Sequence, residues 1–235
     1  MVPLSFAGEE WLLCESRTLY WPRENALLVA DLHLEKASWY AQKSGQMLPP
    51  YDSRETLERL AEAIRETGAR RVITLGDNFH DDDGPARLEP HAKGMLAALT
   101  RATDWVWITG NHDEKLDPAI GGTVAEELEI GGVVLRHQAL AGETRAELSG
   151  HYHPKLRLAL RGRRIARPCA VLAANDAAKD SGGTRMIMPA FGALTGGMDA
   201  GDPAILKALQ PAARIDAVLP AAGKLARIPL WEAAA

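Results

Sequence analysis

Ala26-Leu27-Leu28-Val29-Ala30-Asp31-Leu32-His33 is the stretch whose reading decides the fold. Five apolar residues in a row read as a buried strand, and two metal-type side chains follow it without a break. The same arrangement returns twice. Arg71-Val72-Ile73-Thr74-Leu75 runs into Gly76-Asp77-Asn78, and Trp105-Val106-Trp107-Ile108-Thr109 runs into Gly110-Asn111-His112-Asp113. A helix is expected between the first two runs, with Asp52 as N-cap, Glu55 three residues on and Gly68 as its stop. A second helix is expected from Glu89 to Thr100. Strand–helix–strand–helix–strand is the alternation of a parallel sheet, and such sheets bind ligands just beyond the carboxyl ends of their strands.

Upstream, Trp11–Cys14 and Thr18–Trp21 read as short strands, with Pro22 and Asn25 marking a turn. Downstream the character changes. Glu126–Ile130 and Val133–His137 flank Gly131-Gly132, a two-residue hairpin signal. Leu156, Leu158 and Leu160 alternate with Arg157 and Ala159 before the turn Arg161-Gly162-Arg163. Further strands are expected at Ala170–Ala173, Arg185–Met188 and Leu225–Trp231, with a polar loop from Asn175 to Gly183. The expected architecture is α/β: two mixed β-sheets packed face to face and flanked by helices, forming one domain over residues 1–235.

Composition narrows the functional classes. The chain has 235 residues and a net charge of -4, so no global basic field advertises nucleic acid. Its two cysteines, Cys14 and Cys169, stand apart in no metal or disulfide pattern. Met1–Glu10 lacks the basic start of a signal peptide, and no apolar run approaches a membrane span. A soluble cytoplasmic protein without membrane contact is expected.

The chain has seven histidines, and five of them lie in short strings with acids or amides. Those strings are Asp31-Leu32-His33, Gly76-Asp77-Asn78, Gly110-Asn111-His112-Asp113, His137 and Gly150-His151-Tyr152-His153. Each has a plain structural alternative, such as a turn cap, an Asx-turn or a partly buried histidine. Together they offer seven ligands: Asp31, His33, Asp77, Asn111, His137, His151 and His153. In extended chain, residues two apart share a face, so Asp31 and His33 can both grip one ion, and His151 and His153 offer two imidazoles on one face. A carboxylate has two oxygens, which makes Asp77 the candidate bridge between two ions. His112 is then left free to face a substrate, with Asp113 orienting its imidazole or capping the next segment. Oxygen and imidazole donors without thiolate favour manganese, iron or zinc over a structural zinc–thiolate site.

The order D-x-H, G-D, G-N-H-D, H, G-H-x-H resembles the calcineurin-like metallophosphoesterases. That likeness implies an αββα sandwich without a separate cap domain. It also implies that Asp31, His33, Asp77 and His153 hold one metal and that Asp77, Asn111, His137 and His151 hold the other. His112 would be the catalytic acid or charge stabiliser. Leu19-Tyr20-Trp21-Pro22, Leu28 to Lys36, Gly150 to Pro154 and Met188 to Gly197 are similar to the bacterial DNA-ligase-associated metallophosphoesterases, described as DNA-damage-response endonucleases. This closer likeness implies manganese-dependent phosphodiester cleavage, DNA as substrate, and company with a DNA ligase and a helicase. A homodimer stays open. Glu35 stands where the family more often has glycine, and Phe79-His80-Asp81 departs from its general pattern.

Two alternatives accompany this reading. One is a phosphomonoesterase or nucleotide pyrophosphatase acting on a small substrate, and the other is a catalytically weak binding scaffold. Lys155, Arg157, Arg161, Arg163, Arg164 and Arg167 suit a nucleic-acid track or a solvated hairpin face equally. Trp39-Tyr40, just after the first string, is a base-stacking candidate.

Overall fold

The apolar run after Asn25 is β4 of a seven-stranded sheet, in a computed structural model that describes residues 1–160, 162–175 and 184–233. In chain order the sheet contains β1 (Val2–Phe6), β2 (Glu9–Leu13), β3 (Leu19–Trp21), β4 (Ala26–Val29), β5 (Arg71–Leu75), β6 (Asp104–Ile108) and β7 (Thr123–Ala125), and its spatial order is the same. The first four strands are antiparallel neighbours; β4 to β7 run parallel. Parallel strands need crossovers, supplied by α1 (Lys36–Ser44) and α2 (Asp52–Thr67), then by α3 (Gly84–Arg87) and α4 (Pro90–Ala102).

The second half builds another seven-stranded sheet. It uses β8 (Glu127–Ile130), β9 (Val133–Arg136) and β10 (Ala146–Ser149). A separate ribbon of β11 (Lys155–Leu160) and β12 (Arg163–Pro168) follows. The sheet resumes with β13 (Ala170–Ala174) and β14 (Arg185–Ile187), and after α5 (Pro203–Ala208) it closes with β15 (Arg214–Ala221) and β16 (Lys224–Glu232). Its order is β16-β15-β13-β14-β10-β9-β8, with β9, β10 and β14 parallel. The two sheets pack face to face. Trp11, Trp21, Leu28 and Ile73 from the first meet Leu135, Leu148, Leu172 and Met186 from the second in one buried cluster. The outer face of the first sheet is covered by α2 and α4, through Leu57, Leu60 and Leu96. On the outer face of the second, the six residues of α5 are joined by Leu156 of the ribbon.

Several expectations shift in detail. Asp52 is not a cap: it lies in the first turn of α2, and its carboxylate accepts from the Ala37 N–H at 3.0 Å, tying α2 to α1. Glu89 is the cap of α4, accepting from the His91 and Ala92 N–H groups. Strand β1 lies before the strands expected above; it carries Pro3 and is an edge strand, where proline is tolerated. Strands β7, β10 and β15 were not expected, being short or carrying charged residues. Glu147 of β10 is nonetheless fully buried. The loop expected from Asn175 to Gly183 lies outside the described residues apart from its first residue, as does Arg161. No helix among the described residues is long and apolar enough to cross a membrane.

The buried charge of Glu147 is matched by Arg185, opposite it on β14, at 2.6 Å with both side chains 1 % exposed. Arg185 also donates to the carbonyls of Leu140, Ala208 and Gln210, so one guanidinium joins the second sheet to α5 and to the loop after β9. Arg136 and the Leu140 N–H hold the other carboxylate oxygen of Glu147. Arg185→Ala therefore leaves one buried oxygen and three carbonyls without their donor, and is expected to cost about 3 kcal/mol in urea unfolding. Both cysteines are buried, and burial pushes the Cys169 thiol up to about 12. A thiol reagent at pH 8 is expected to leave both unmodified until the protein is unfolded.

Candidate metal centre

Strands β4, β5 and β6 are adjacent and parallel, so the strings that follow them emerge side by side at one edge of the first sheet. Strands β9 and β10 of the second sheet end at the same place. There the Gly150 N–H donates to the His137 carbonyl at 2.8 Å, and the His151 N–H donates to Asp31 at 3.0 Å. All five strings therefore meet at the seam between the sheets.

Three groups of donors form there, one of three imidazoles (His33, His80 and His112) and two that include carboxylates. Of the carboxylate groups, Asp31, His33, Asp77 and His153 make the first, and Asp77, His137 and His151 make the second. Asn111 joins the second, its Oδ1 standing 3.1 Å from His137 Nε2. Asp77 is common to both. Its Oδ2 lies 3.5 Å from His33 Nε2, and its Oδ1 lies 3.3 Å from His137 Nε2. In the first group His33 Nε2 is 3.2 Å from His153 Nε2, which is 3.5 Å from Asp31 Oδ1.

The second group tests whether a metal fits. His137 Nδ1–H donates to the Leu75 carbonyl at 3.0 Å, which settles the tautomer and leaves a lone pair on Nε2. That lone pair faces Asp77 Oδ1, Asn111 Oδ1 and His151 Nδ1, the last at 3.0 Å. Carboxylate, amide oxygen and imidazole nitrogens converge on one point, an arrangement that a cation stabilises. The residues present fit a divalent ion. Burial, then the neighbouring His153, holds His33 well below the usual imidazole range. Burial, followed by His137, also lowers His151, with Asp31 opposing. Both rings are neutral at pH 7, as metal ligation requires. Burial raises the Asp77 carboxyl; His137 opposes this and Asp31 adds to it.

The backbone route differs from the one expected. Asp31, His33, Asp77, His151 and His153 all have positive φ, between 44° and 74°. These segments are not extended, and the two histidines of Gly150–His153 diverge, His153 to the first group and His151 to the second. Left-handed non-glycine residues cost of order 1–3 kcal/mol each and persist where the surroundings over-determine them. Asp31 shows how. Its N–H donates to the Gly76 carbonyl, and its own carbonyl accepts from Gly192 in the segment after β14. Glu35, where the family more often has glycine, also has φ 63°, and Ser53 and Ser38 each donate to its carboxylate at 2.7 Å. The glycines of the strings act sterically: a Cβ on Gly76 would sit 2.3 Å from His137 Nδ1, and one on Gly110 would sit 2.2 Å from Asp77 Oδ1.

His112 lies beside the first group, its ring centroid 5.0 Å from that of His33. Its Nδ1–H donates to the His80 carbonyl at 2.9 Å, which leaves Nε2 open. Asp113 is not what orients that ring. Its buried carboxylate accepts from the N–H groups of Asn78 at 2.8 Å, Phe79 at 3.2 Å and Gly110 at 2.8 Å, clamping two ligand loops together.

His80 is the residue the sequence reading passed over as a mere departure from pattern. Its Nδ1 is 3.3 Å from His33 Nδ1, and its ring stacks on His112 at 4.9 Å and 20°. Burial, then Lys36, holds it down at about 4. The signal available was its place three residues after Asp77. Of the basic ribbon residues, Arg163, Arg164 and Arg167 are exposed on β12, and Arg157 is 3.7 Å from Asp199.

A family model described as calcineurin-like phosphoesterase matches residues 25–167, more than half of the chain. The chain belongs to the calcineurin-like phosphoesterase family. Its fold is similar to that of the crystal structure of Pseudomonas putida nuclease MPE, at 27 % identity and a TM-score of 0.67. That likeness covers 92 % of this chain and 95 % of the other. No curated protein sequence gives a match. The phosphoesterase thus has its family's sandwich, with the donor groups at the end where both sheets present parallel strands.

Because Asp113 anchors backbone, Asp113→Ala is expected to cost the metal-free enzyme about 2–4 kcal/mol in urea unfolding, from buried N–H groups left without an acceptor. A purely catalytic role for Asp113 would leave that midpoint unmoved.

Proposed function

We propose that this phosphoesterase is a two-metal phosphodiesterase acting on DNA, with Asp31, His33, Asp77 and His153 holding one ion and Asp77, Asn111, His137 and His151 the other. The observation that carries the reading is the shared carboxylate: Asp77 turns one oxygen to each donor group. When bound, the two ions supply Lewis acidity to a phosphate and lower the pKa of a shared water toward about 7. The donor set suits manganese first, with iron or zinc as alternatives.

The chain's own groups do the rest. The Leu75 carbonyl keeps His137 in the tautomer that presents Nε2. His112, held by the His80 carbonyl, offers Nε2 to charge on the phosphate oxygens and to the leaving oxygen as a proton source. The likeness to a nuclease of Pseudomonas putida supports a nucleic-acid chain over a small monoester. An inert scaffold is disfavoured by the presence of His112 and all seven ligands. A single metallophosphoesterase domain, a cytoplasmic setting in DNA repair, and association with a ligase and a helicase complete the reading on the strength of the subfamily resemblance.

With manganese, the enzyme is expected to hydrolyse bis-p-nitrophenyl phosphate and cut oligonucleotides, to fall silent on chelation and to recover when manganese is restored. His112→Ala is expected to lower kcat by about 100-fold or more while retaining two ions per chain by elemental analysis. Asp77→Ala is expected to lose both ions. Turnover of p-nitrophenyl phosphate alone, or full diesterase activity in His112→Ala, would sink the proposal.

A further inference from the structure

Helix α1 begins three residues after His33 and carries Trp39 and Tyr40 on its second turn. Both rings pack on His80. Trp39 meets it edge-on at 4.8 Å and 86°; Tyr40 lies nearly parallel to it at 5.9 Å and 21°. His80 in turn stacks on His112 at 4.9 Å and 20°. Tyr40, His80 and His112 thus form a column of near-parallel rings running from the metal centre toward the surface, with Trp39 along its side.

Core packing does not account for the outer end of that column. Trp11, Trp21 and Trp107 are buried, and each donates its indole N–H to a protein oxygen. Trp39 and Tyr40 are half-exposed. Among the described residues, neither the Trp39 indole N–H nor the Tyr40 hydroxyl has a protein partner, and neither is buried. Beyond the helix, Gly45–Tyr51 continues the rim with Met47 82 % and Tyr51 65 % exposed. The stretch from Lys36 to Tyr51 contains Lys36 and Lys43 and no acid, in a chain with 31 acidic residues. An aromatic stretch without acids of its own, adjoining a phosphoester centre and with the neighbouring Asp81 paired to Arg87, suits a polyanion whose monomers carry flat apolar faces.

We propose that Trp39 and Tyr40 are the platform on which a nucleobase next to the scissile phosphate stacks. The platform sets which phosphodiesters are positioned for cleavage. It selects chains that bear bases, and any base serves because every base has a π-face. This inference rests on the nucleic-acid reading above and adds to it the residues that recognise the chain. The two are positioning residues: they reach the chemistry through the base and through the His80–His112 stack.

The test uses the manganese-loaded enzyme and two oligonucleotides identical except that one carries abasic sites around the cleavage position. The unaltered enzyme is expected to lose about tenfold or more in kcat/KM on the abasic chain, the scale of one base–aromatic stack. Trp39→Ala is expected to lose as much on the base-bearing chain and nothing further on the abasic one, so that the two changes are non-additive. Trp39→Phe is expected to restore most of the discrimination. Equal turnover of the two chains by the unaltered enzyme overturns the platform, and that comparison needs no variant to fold. Additive losses overturn it too. Turnover of bis-p-nitrophenyl phosphate with no cleavage of either oligonucleotide overturns the nucleic-acid reading itself, and the platform with it.

Discussion

Two carboxylates, Asp31 at 0 % and Asp77 at 2 % exposure, are buried together at the seam of two sheets, among imidazoles whose lone pairs point inward. Buried negative charge of this density is unfavourable unless positive charge or hydrogen bonds meet it. Some of that compensation is already present: the His151 N–H donates to Asp31, and the His112 N–H donates to Asp77. The remaining electron pairs converge, an arrangement that divalent cations would stabilise. The fold holds this cluster of buried acids and imidazoles in place.

The holding is done by backbone. The loops are short, the first and last left-handed at alternate residues and the second at Gly76 and Asp77 in succession, and the first is tied to the second by N–H groups that donate to the Gly76, Asp77 and Asn78 carbonyls. Asp113 ties the second loop to the third, and the segment after β14 crosses over the first. Arg59 pins that segment by donating to the Phe191 carbonyl at 2.7 Å and lying over its ring at 4.6 Å. The stretch from Met188 to Gly197, set apart in the sequence by its likeness to a subfamily, thus has a physical part in the centre without supplying a ligand.

Much of this was legible in the sequence. Apolar runs that end in Asp, Asn or His mark strands whose carboxyl ends carry chemistry, because a buried parallel strand has no other place to show polar groups. The hairpins at Gly131-Gly132 and Gly162 followed from turn chemistry. Local rules failed where tertiary contacts override them. Asp52 looked like a cap and instead reaches across to α1. Asp113 looked like a partner for His112 and instead accepts from three backbone N–H groups. The pairing of His151 with His153 assumed an extended chain, which the positive φ at both residues excludes.

Sequence alone determined the inventory: seven ligand side chains, the free histidine between them, and the strand ends on which they sit. Those follow from residue type and periodicity, which are local properties. The family resemblance implied the partition of donors with Asp77 shared; only the tertiary structure decided the distances that group them, and the placing of His80, Trp39 and Tyr40 as a stack leading away from His112. Those depend on how two sheets meet at their edges and on left-handed turns that side-chain patterning does not encode. The distances that gather these polar residues into one cluster are set between residues up to 122 positions apart in the chain.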